Sequence, residues 1–247
     1  SKAKSKSEAL RTLKKIERKQ EEKVVADNLE KSLQNDGNER LKRVLTNGYI
    51  VKDFFEGVSV VPDRAASFIE VDPPYAIALD KIKRGAERET SPGIENYNEV
   101  ASEDYQDFLD NLFAECYRVL AGNGWIVCWY GIQWYHVVLA SLENAGFQVV
   151  DLPAIWTKTG HQGQTRVPDV RLGNVYEPFF YARKDNSAII RQPGRTNQFN
   201  FKSLHPDHKV HPTERPIEMI EEVIRTFCIP GGHIMVPFLG SGNTMLA

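Results

Sequence analysis

From residue 47 onward, short apolar runs alternate with longer stretches whose apolar residues recur every three or four positions. The short runs, at 48–52, 67–71, 125–130, 148–156, 175–182 and 233–237, predict strands. Helical spacing occupies 102–120, 133–145 and 215–227. The first helix opens on Ser102-Glu103-Asp104, with acids that suit a helix N-terminus, and is expected to end near Gly122-Asn123-Gly124. Strands separated by helices predict an α/β fold with a mixed, mostly parallel sheet flanked by helices. Trp156 to Tyr181 reads as a hairpin at one edge of that sheet, with a polar loop at 160–174.

Residues 6–45 differ. They are rich in Lys, Glu, Arg, Leu and Ala, lack proline, and carry only a thin apolar stripe through Leu10, Leu13, Ile16, Val24, Val25, Leu29 and Leu33. This predicts a charged helical appendage over 1–46, broken at Asn35-Asp36-Gly37-Asn38, and a main domain over 47–247. Two polar segments, 81–100 and 183–212, are expected to be irregular, and long irregular segments in a compact domain often carry function.

Composition adds boundaries. With 247 residues, 41% hydrophobic and 26% charged, the chain can bury one sizeable core. No apolar run approaches the roughly 20 residues of a membrane helix. Cys116, Cys128 and Cys228 share no C-x-x-C spacing and sit in apolar stretches, so buried thiols and a cytoplasmic setting are expected. The net charge of −2 hides an uneven distribution: residues 1–20 hold eight Lys/Arg against two Asp/Glu, and 183–209 hold six against two. Such patches can bind a polyanion, although solvated surface charge is the plain alternative.

Two motifs carry chemistry. In "IEVDPPYAIALDK" (69–81) an apolar run ends on Asp72-Pro73-Pro74-Tyr75. Prolines cannot donate to a sheet ladder, so they end the strand and leave rigid carbonyls beside the Asp72 carboxylate. That arrangement is either a turn or a set of acceptors for a ligand bearing N–H groups. In "IMVPFLGSGNTMLA" (234–247) Gly240-Ser241-Gly242 stands between a strand and a helix, where glycines permit a tight turn and close backbone approach to a ligand. It lacks the third glycine of a dinucleotide fingerprint and the lysine of a phosphate loop.

Together, Asp72-Pro73-Pro74-Tyr75, the later Pro237-Phe238-Leu239-Gly240-Ser241-Gly242-Asn243-Thr244 and "HPTERP" at 211–216 resemble the amino-methylating DNA methyltransferases that use S-adenosylmethionine. The motif order is similar to the permuted β-class, and the resemblance runs from about Gly48 to the end. It implies a Rossmann-like fold and methylation of adenine N6 in DNA, as in restriction-modification, with cytosine N4 or RNA adenosine as alternatives. By this resemblance Asp72 and the Pro73 carbonyl accept the two N6–H bonds, Pro74 stiffens the corner, and Tyr75 stacks on a flipped base. Phe238, Gly240, Ser241 and Gly242 would line the methionine end of the cofactor, also near Asp72, with Asn243 and Thr244 by its carboxylate. Thr213 and Arg215 would contact that carboxylate, and Asp53 would meet the adenine amine of the cofactor. Segments 81–100 and 183–212 are the candidate DNA contacts, because both adjoin the proposed site in sequence, with Arg191, Arg195, Asn197, Gln198 and Lys202 bearing the suited side chains. The N-terminal helices could pair subunits or touch DNA.

The sequence also departs from that pattern. Arg215 replaces a usual Lys, Lys52 a usual Gly, and Val236 a usual Asp. The sequence ends at Ala247, in the first turns of the helix after the glycines, so the domain is expected to be truncated, without the next strand, whose terminal acid would bind the ribose hydroxyls. Val236 and that end motivate a second hypothesis, a catalytically inactive scaffold that binds DNA or a partner. His205, His208 and His211 recur every third residue without a cysteine partner, so no metal is expected. Trp125, Trp129, Tyr130, Trp134 and Tyr135 read as core packing.

Overall fold

The computed structural model describes residues 52–74, 100–160, 165, 167–204 and 214–247. The chain divides into two compact units, one of Ser1–Asp53 with His205–Lys209 and one of Phe54–Leu204 with Val210–Ala247. Of the first unit only Lys52, an exposed residue, and Asp53 are described. The expected appendage helices, the strand at 48–51, the loop at 81–99 and the three histidines lie outside the described residues.

In the second unit the elements are α1 (Phe54–Val58), β1 (Ala66–Val71), α2 (Tyr105–Val119), β2 (Leu120–Trp129) and α3 (Tyr135–Asn144). They continue as β3 (Gln148–Val149), β4 (Ala154–Thr159), β5 (Tyr176–Arg183), β6 (Gln198–Lys202), α4 (Ile217–Phe227), β7 (Ile234–Met235) and α5 (Asn243–Leu246). A single turn of 3₁₀ helix, Ile132–Trp134, leads into α3. The strands form one mixed sheet ordered β6-β4-β5-β2-β1-β7, with β3 added against β5. β1 runs parallel to β2 and β7, β4 runs parallel to β6, and β5 is antiparallel to β2, β3 and β4. No helix among the described residues is long and apolar enough to cross a membrane.

Alternation of side chains across the sheet explains the core. Ile69, Val71, Ile126, Cys128 and Phe180 face α2 and α3, whose Leu109, Leu112, Phe113, Cys116, Val138 and Leu142 cover them. Phe68, Trp125, Val127, Trp129 and Phe179 face the other way, toward Met219, Ile220, Val223 and Phe227 of α4. Both faces are therefore sealed, as a sheet flanked by helices requires. The cysteines are free and buried.

Four features differ from expectation. Helix α2 ends at Val119 and β2 already begins at Leu120, so Gly122 and Gly124 lie inside a strand. The register slips there: Ala66 pairs with Leu120 and Phe68 with Trp125. Gly124 has a steric reason, since a Cβ would sit 2.9 Å from the Ser67 carbonyl oxygen. The expected strand at 148–156 is split into β3 and β4, with Pro153 between them. The hairpin of β4 and β5 is not at the sheet edge, because β6 covers it. β6 falls in the segment read as irregular, yet its sequence, Gln-Phe-Asn-Phe-Lys, alternates polar and apolar residues; Phe199 is buried and Asn200 exposed.

Candidate active site

Glu70 and Asp72 are two residues apart at the carboxyl end of β1, so period-two alternation sends both side chains to the face occupied by α4. Arg215, immediately before the helix's first flanking residue Pro216, meets them there. Its Nη1 donates to Asp72 Oδ2 at 2.6 Å and its Nη2 to Asp72 Oδ1 at 3.1 Å, a two-pronged contact matched to carboxylate geometry. The same Nη2 is 3.3 Å from Glu177 Oε2 on β5. The guanidinium carbon lies 4.0 Å from the centroid of the Trp129 ring, at the end of β2. The Arg215 side chain is only 5% exposed and that of Asp72 is 21% exposed. Pro73, next to Asp72, is buried.

Glu70 ties this corner to the glycine turn. It accepts a hydrogen bond from Trp129 Nε1 at 3.0 Å and one from the Thr244 hydroxyl at 2.5 Å. Burial pushes the Glu70 carboxyl above its ordinary value of 4.5, against the opposing pull of Thr244, Arg215 and Trp129. A raised acid binds its proton more tightly in the folded than in the unfolded chain. Its contribution to stability is thus fully present below pH 4.5 and is lost as pH rises through the raised folded value. Glu70→Gln, which cannot ionise, is expected to gain stability relative to the wild type as pH rises above 4.5. Denaturant unfolding at several pH values checks this; a stability difference that does not change with pH would refute it.

The turn after β7 has the form its glycines predict. Gly240 and Gly242 have φ of 57° and 84°, left-handed values that favour glycine, and the Gly242 N–H bonds Leu239 O at 3.0 Å. Among the described residues, nothing lies within 4 Å of where a Cβ would stand on either glycine. Asn243 and Thr244 turn inward. The Asn243 amide donates to Glu214 Oε1 at 3.1 Å and to the Arg215 carbonyl at 2.7 Å, while Thr244 holds Glu70. Phe238 is half-buried, its ring centroid 5.9 Å from Phe54 and 6.0 Å from Phe108.

Glu70, Asp72, Glu214, Arg215, Val236 and residues 238–241, 243 and 244 line one cleft. The free space inside it is about 30 Å³.

Several expected site residues are thereby brought together: Asp72, Phe238, Gly240, Ser241, Asn243, Thr244 and Arg215 share this cleft. Arg215 does so differently from expectation, since its fork engages Asp72. Pro74 follows the corner, half-buried, while Tyr75 and Thr213 lie outside the described residues. Asp53 is an exposed residue of the first unit.

The expected DNA contacts divide by place. Arg191 bonds through its backbone N–H to Thr226 O at the far end of α4, about 15 Å along the helix from Pro216 at a rise of roughly 1.5 Å per residue. The Arg195 guanidinium is packed 3.7 Å from the Phe199 ring centroid and paired with Glu222 at 3.1 Å, so it braces β6 against α4. Neither lines the Asp72 cleft. Asn197, Gln198 and Lys202 are exposed on or beside β6, four strand spacings or about 19 Å from β1. Asn197 donates to Pro153 O and Gln198 to Thr157 Oγ1.

Four participants were not among the expected site residues: Glu70, Trp129, Glu177 and Glu214. Glu70 had a visible signal, a charge inside an apolar strand two positions before Asp72. Trp129 reads as core because it is also core.

Known proteins resemble this chain in sequence and in fold. YubD of Escherichia coli (strain K12) is 27% identical over 199 residues, spanning 81% of this chain and 78% of that protein. The crystal structure of M1.HpyAVI with S-adenosylmethionine superposes with a TM-score of 0.58 at 20% identity, covering 78% of this chain and 82% of the other. PvuII DNA methyltransferase, a cytosine-N4-specific enzyme, gives 0.60 at 15% identity, covering 79% and 75%. The DNA methylase model of the N6/N4 family matches residues 66–247, through β1, the Asp72 corner and the glycine turn, and the chain belongs to that family.

Proposed function

We propose that this DNA methyltransferase acts on adenine N6, with Asp72 and the Pro73 carbonyl as the acceptors for the target amine. The observation that carries the reading is the joining of the Asp72 corner to the glycine turn through Glu70 and Thr244, in one cleft. S-adenosylmethionine is the methyl donor and supplies an electrophilic methyl on a sulfonium. The residues present fit it: among the described residues none crowds the Cβ positions of Gly240 and Gly242, and Phe238 and Ser241 line the adjoining cleft.

An exocyclic amine is a poor nucleophile while its lone pair is delocalised into the ring. Two fixed acceptors on its N–H bonds draw it toward tetrahedral geometry, and they stabilise the positive charge that grows on nitrogen more than they stabilise the resting amine. Proline stiffness keeps the Pro73 carbonyl in place. Reaching this corner from duplex DNA requires the base to flip out, at a cost of about a few kcal/mol. Tyr75 is proposed to stack on that base. Gln198 and Lys202, exposed on β6, are proposed to meet flanking DNA, and 81–100 remains a proposed contact segment. A homodimer or partner subunit through 1–46 belongs to the same reading.

Cytosine N4 is the second reading, favoured by the fold likeness to a cytosine-N4-specific enzyme; both amines need the same acceptors. Methylating DNA with tritiated cofactor and resolving the nucleosides separates them. Label in N6-methyldeoxyadenosine is expected; label in N4-methyldeoxycytidine selects the second reading, and no label in either favours a scaffold.

A further inference from the structure

We propose that Arg215 and Glu177 are positioning residues for Asp72: Glu177 and the Trp129 ring seat the guanidinium, and its fork sets the plane in which Asp72 presents its oxygens to the target amine. The inference rests on the methylation reading and assigns Arg215 to the acceptor corner in place of the cofactor's carboxylate.

The geometry is over-determined. Both Asp72 oxygens are held by separate Arg215 nitrogens, at 2.6 and 3.1 Å. The guanidinium is fixed from beneath by Trp129 at 4.0 Å and from the side by Glu177 Oε2 at 3.3 Å. Glu177 is itself anchored through its other oxygen, 2.6 Å from Lys158 Nζ on β4. Each member thus comes from the same end of a different strand, or from the lead-in to α4.

Chemistry gives this box a purpose. Rotation of a carboxylate about its terminal bond is broad and nearly two-fold, so an unbraced Asp72 would spread its oxygens over many directions. A planar fork selects one, which a point charge such as lysine cannot do. An unaccompanied arginine would also weaken the negative field that the methylated nitrogen requires. Glu177 returns negative charge to the same guanidinium, so Asp72 does not face an uncompensated cation. The pairing also accounts for arginine where the family pattern has lysine.

The test measures turnover on DNA at saturating cofactor together with cofactor affinity by calorimetry. Arg215→Lys, which keeps the charge and loses the fork, is expected to lower kcat by about 10- to 100-fold, and Glu177→Gln by about 10-fold, as misplacement without lost binding does. Cofactor Kd is expected to stay within about 2-fold in both, since neither removes a cofactor contact. Arg215→Ala should fall further and regain turnover with added guanidinium; where it fails to fold, Glu177→Gln carries the test. If Arg215→Lys binds cofactor more than about 10-fold more weakly with kcat intact, Arg215 acts through binding, and the inference is overturned. Unchanged kcat in Glu177→Gln overturns it equally. Absence of transfer by the wild type overturns the methylation reading as well, whereas wild-type transfer with unaffected variants overturns this inference alone.

Discussion

Asp72→Ala is expected to lower methyl transfer to DNA by about 1,000-fold, the scale seen when one preorganised charge-stabilising contact is removed from a reaction centre. Cofactor affinity should change by less than about 3-fold, because the glycine turn keeps its own bonds through Asn243 and Thr244. Folding should survive, since Glu177 remains 3.3 Å from the Arg215 guanidinium and leaves that buried cation accompanied. Asp72→Asn tests the same role more narrowly. Asparagine keeps one acceptor oxygen but turns an NH₂ group toward either the guanidinium or the target amine, both of which donate. A loss nearly as deep as that of alanine is the expected result. Single-turnover assays with calorimetric cofactor titrations measure both quantities. An Asp72→Ala enzyme retaining a tenth of wild-type turnover would remove Asp72 from the reaction.

Much of this corner is legible in the chain because its determinants are local. A double proline ends β1 whatever surrounds it, and glycines with positive φ announce the turn at Gly240 and Gly242. Helices α2, α3 and α4 follow from three- and four-residue spacing alone, and β5 from an apolar run. What the chain did not display is long-range. Arg215 is 143 residues from Asp72, and nothing in "HPTERP" reveals which acid its fork will take. Glu177 looks like a charge at the start of an apolar strand until β5 is placed beside β2. Arg191 and Arg195 precede the glycine motif in sequence, yet Arg191 meets the last turn of α4 at Thr226 and Arg195 its middle at Glu222, and neither lines the cleft. The strand order that places them there is a property of the whole sheet. β6 was legible in principle, by alternation over five residues, but the surrounding charge and glycine masked it.

Trp129→Ala is expected to have the largest effect on stability, because one side chain serves the core and the site together. The indole is fully buried and packs 4.5 Å from Phe179, ring centroid to centroid. Its removal leaves a cavity worth about 3–5 kcal/mol, a large part of the roughly 5–15 kcal/mol that holds a domain folded. It also deprives Glu70 of a donor and Arg215 of the ring beneath it. Trp129→Phe separates these contributions. Phenylalanine keeps most of the packing and an aromatic face for the guanidinium, but loses the N–H. The cost should be about 1–2 kcal/mol, the price of a missing hydrogen bond in a buried site, with turnover reduced less than 10-fold. Urea unfolding of the two variants gives the comparison. Equal losses for Phe and Ala would mean that the Glu70 bond, and not the ring, makes Trp129 important, and the aromatic seat under Arg215 would have no energetic role.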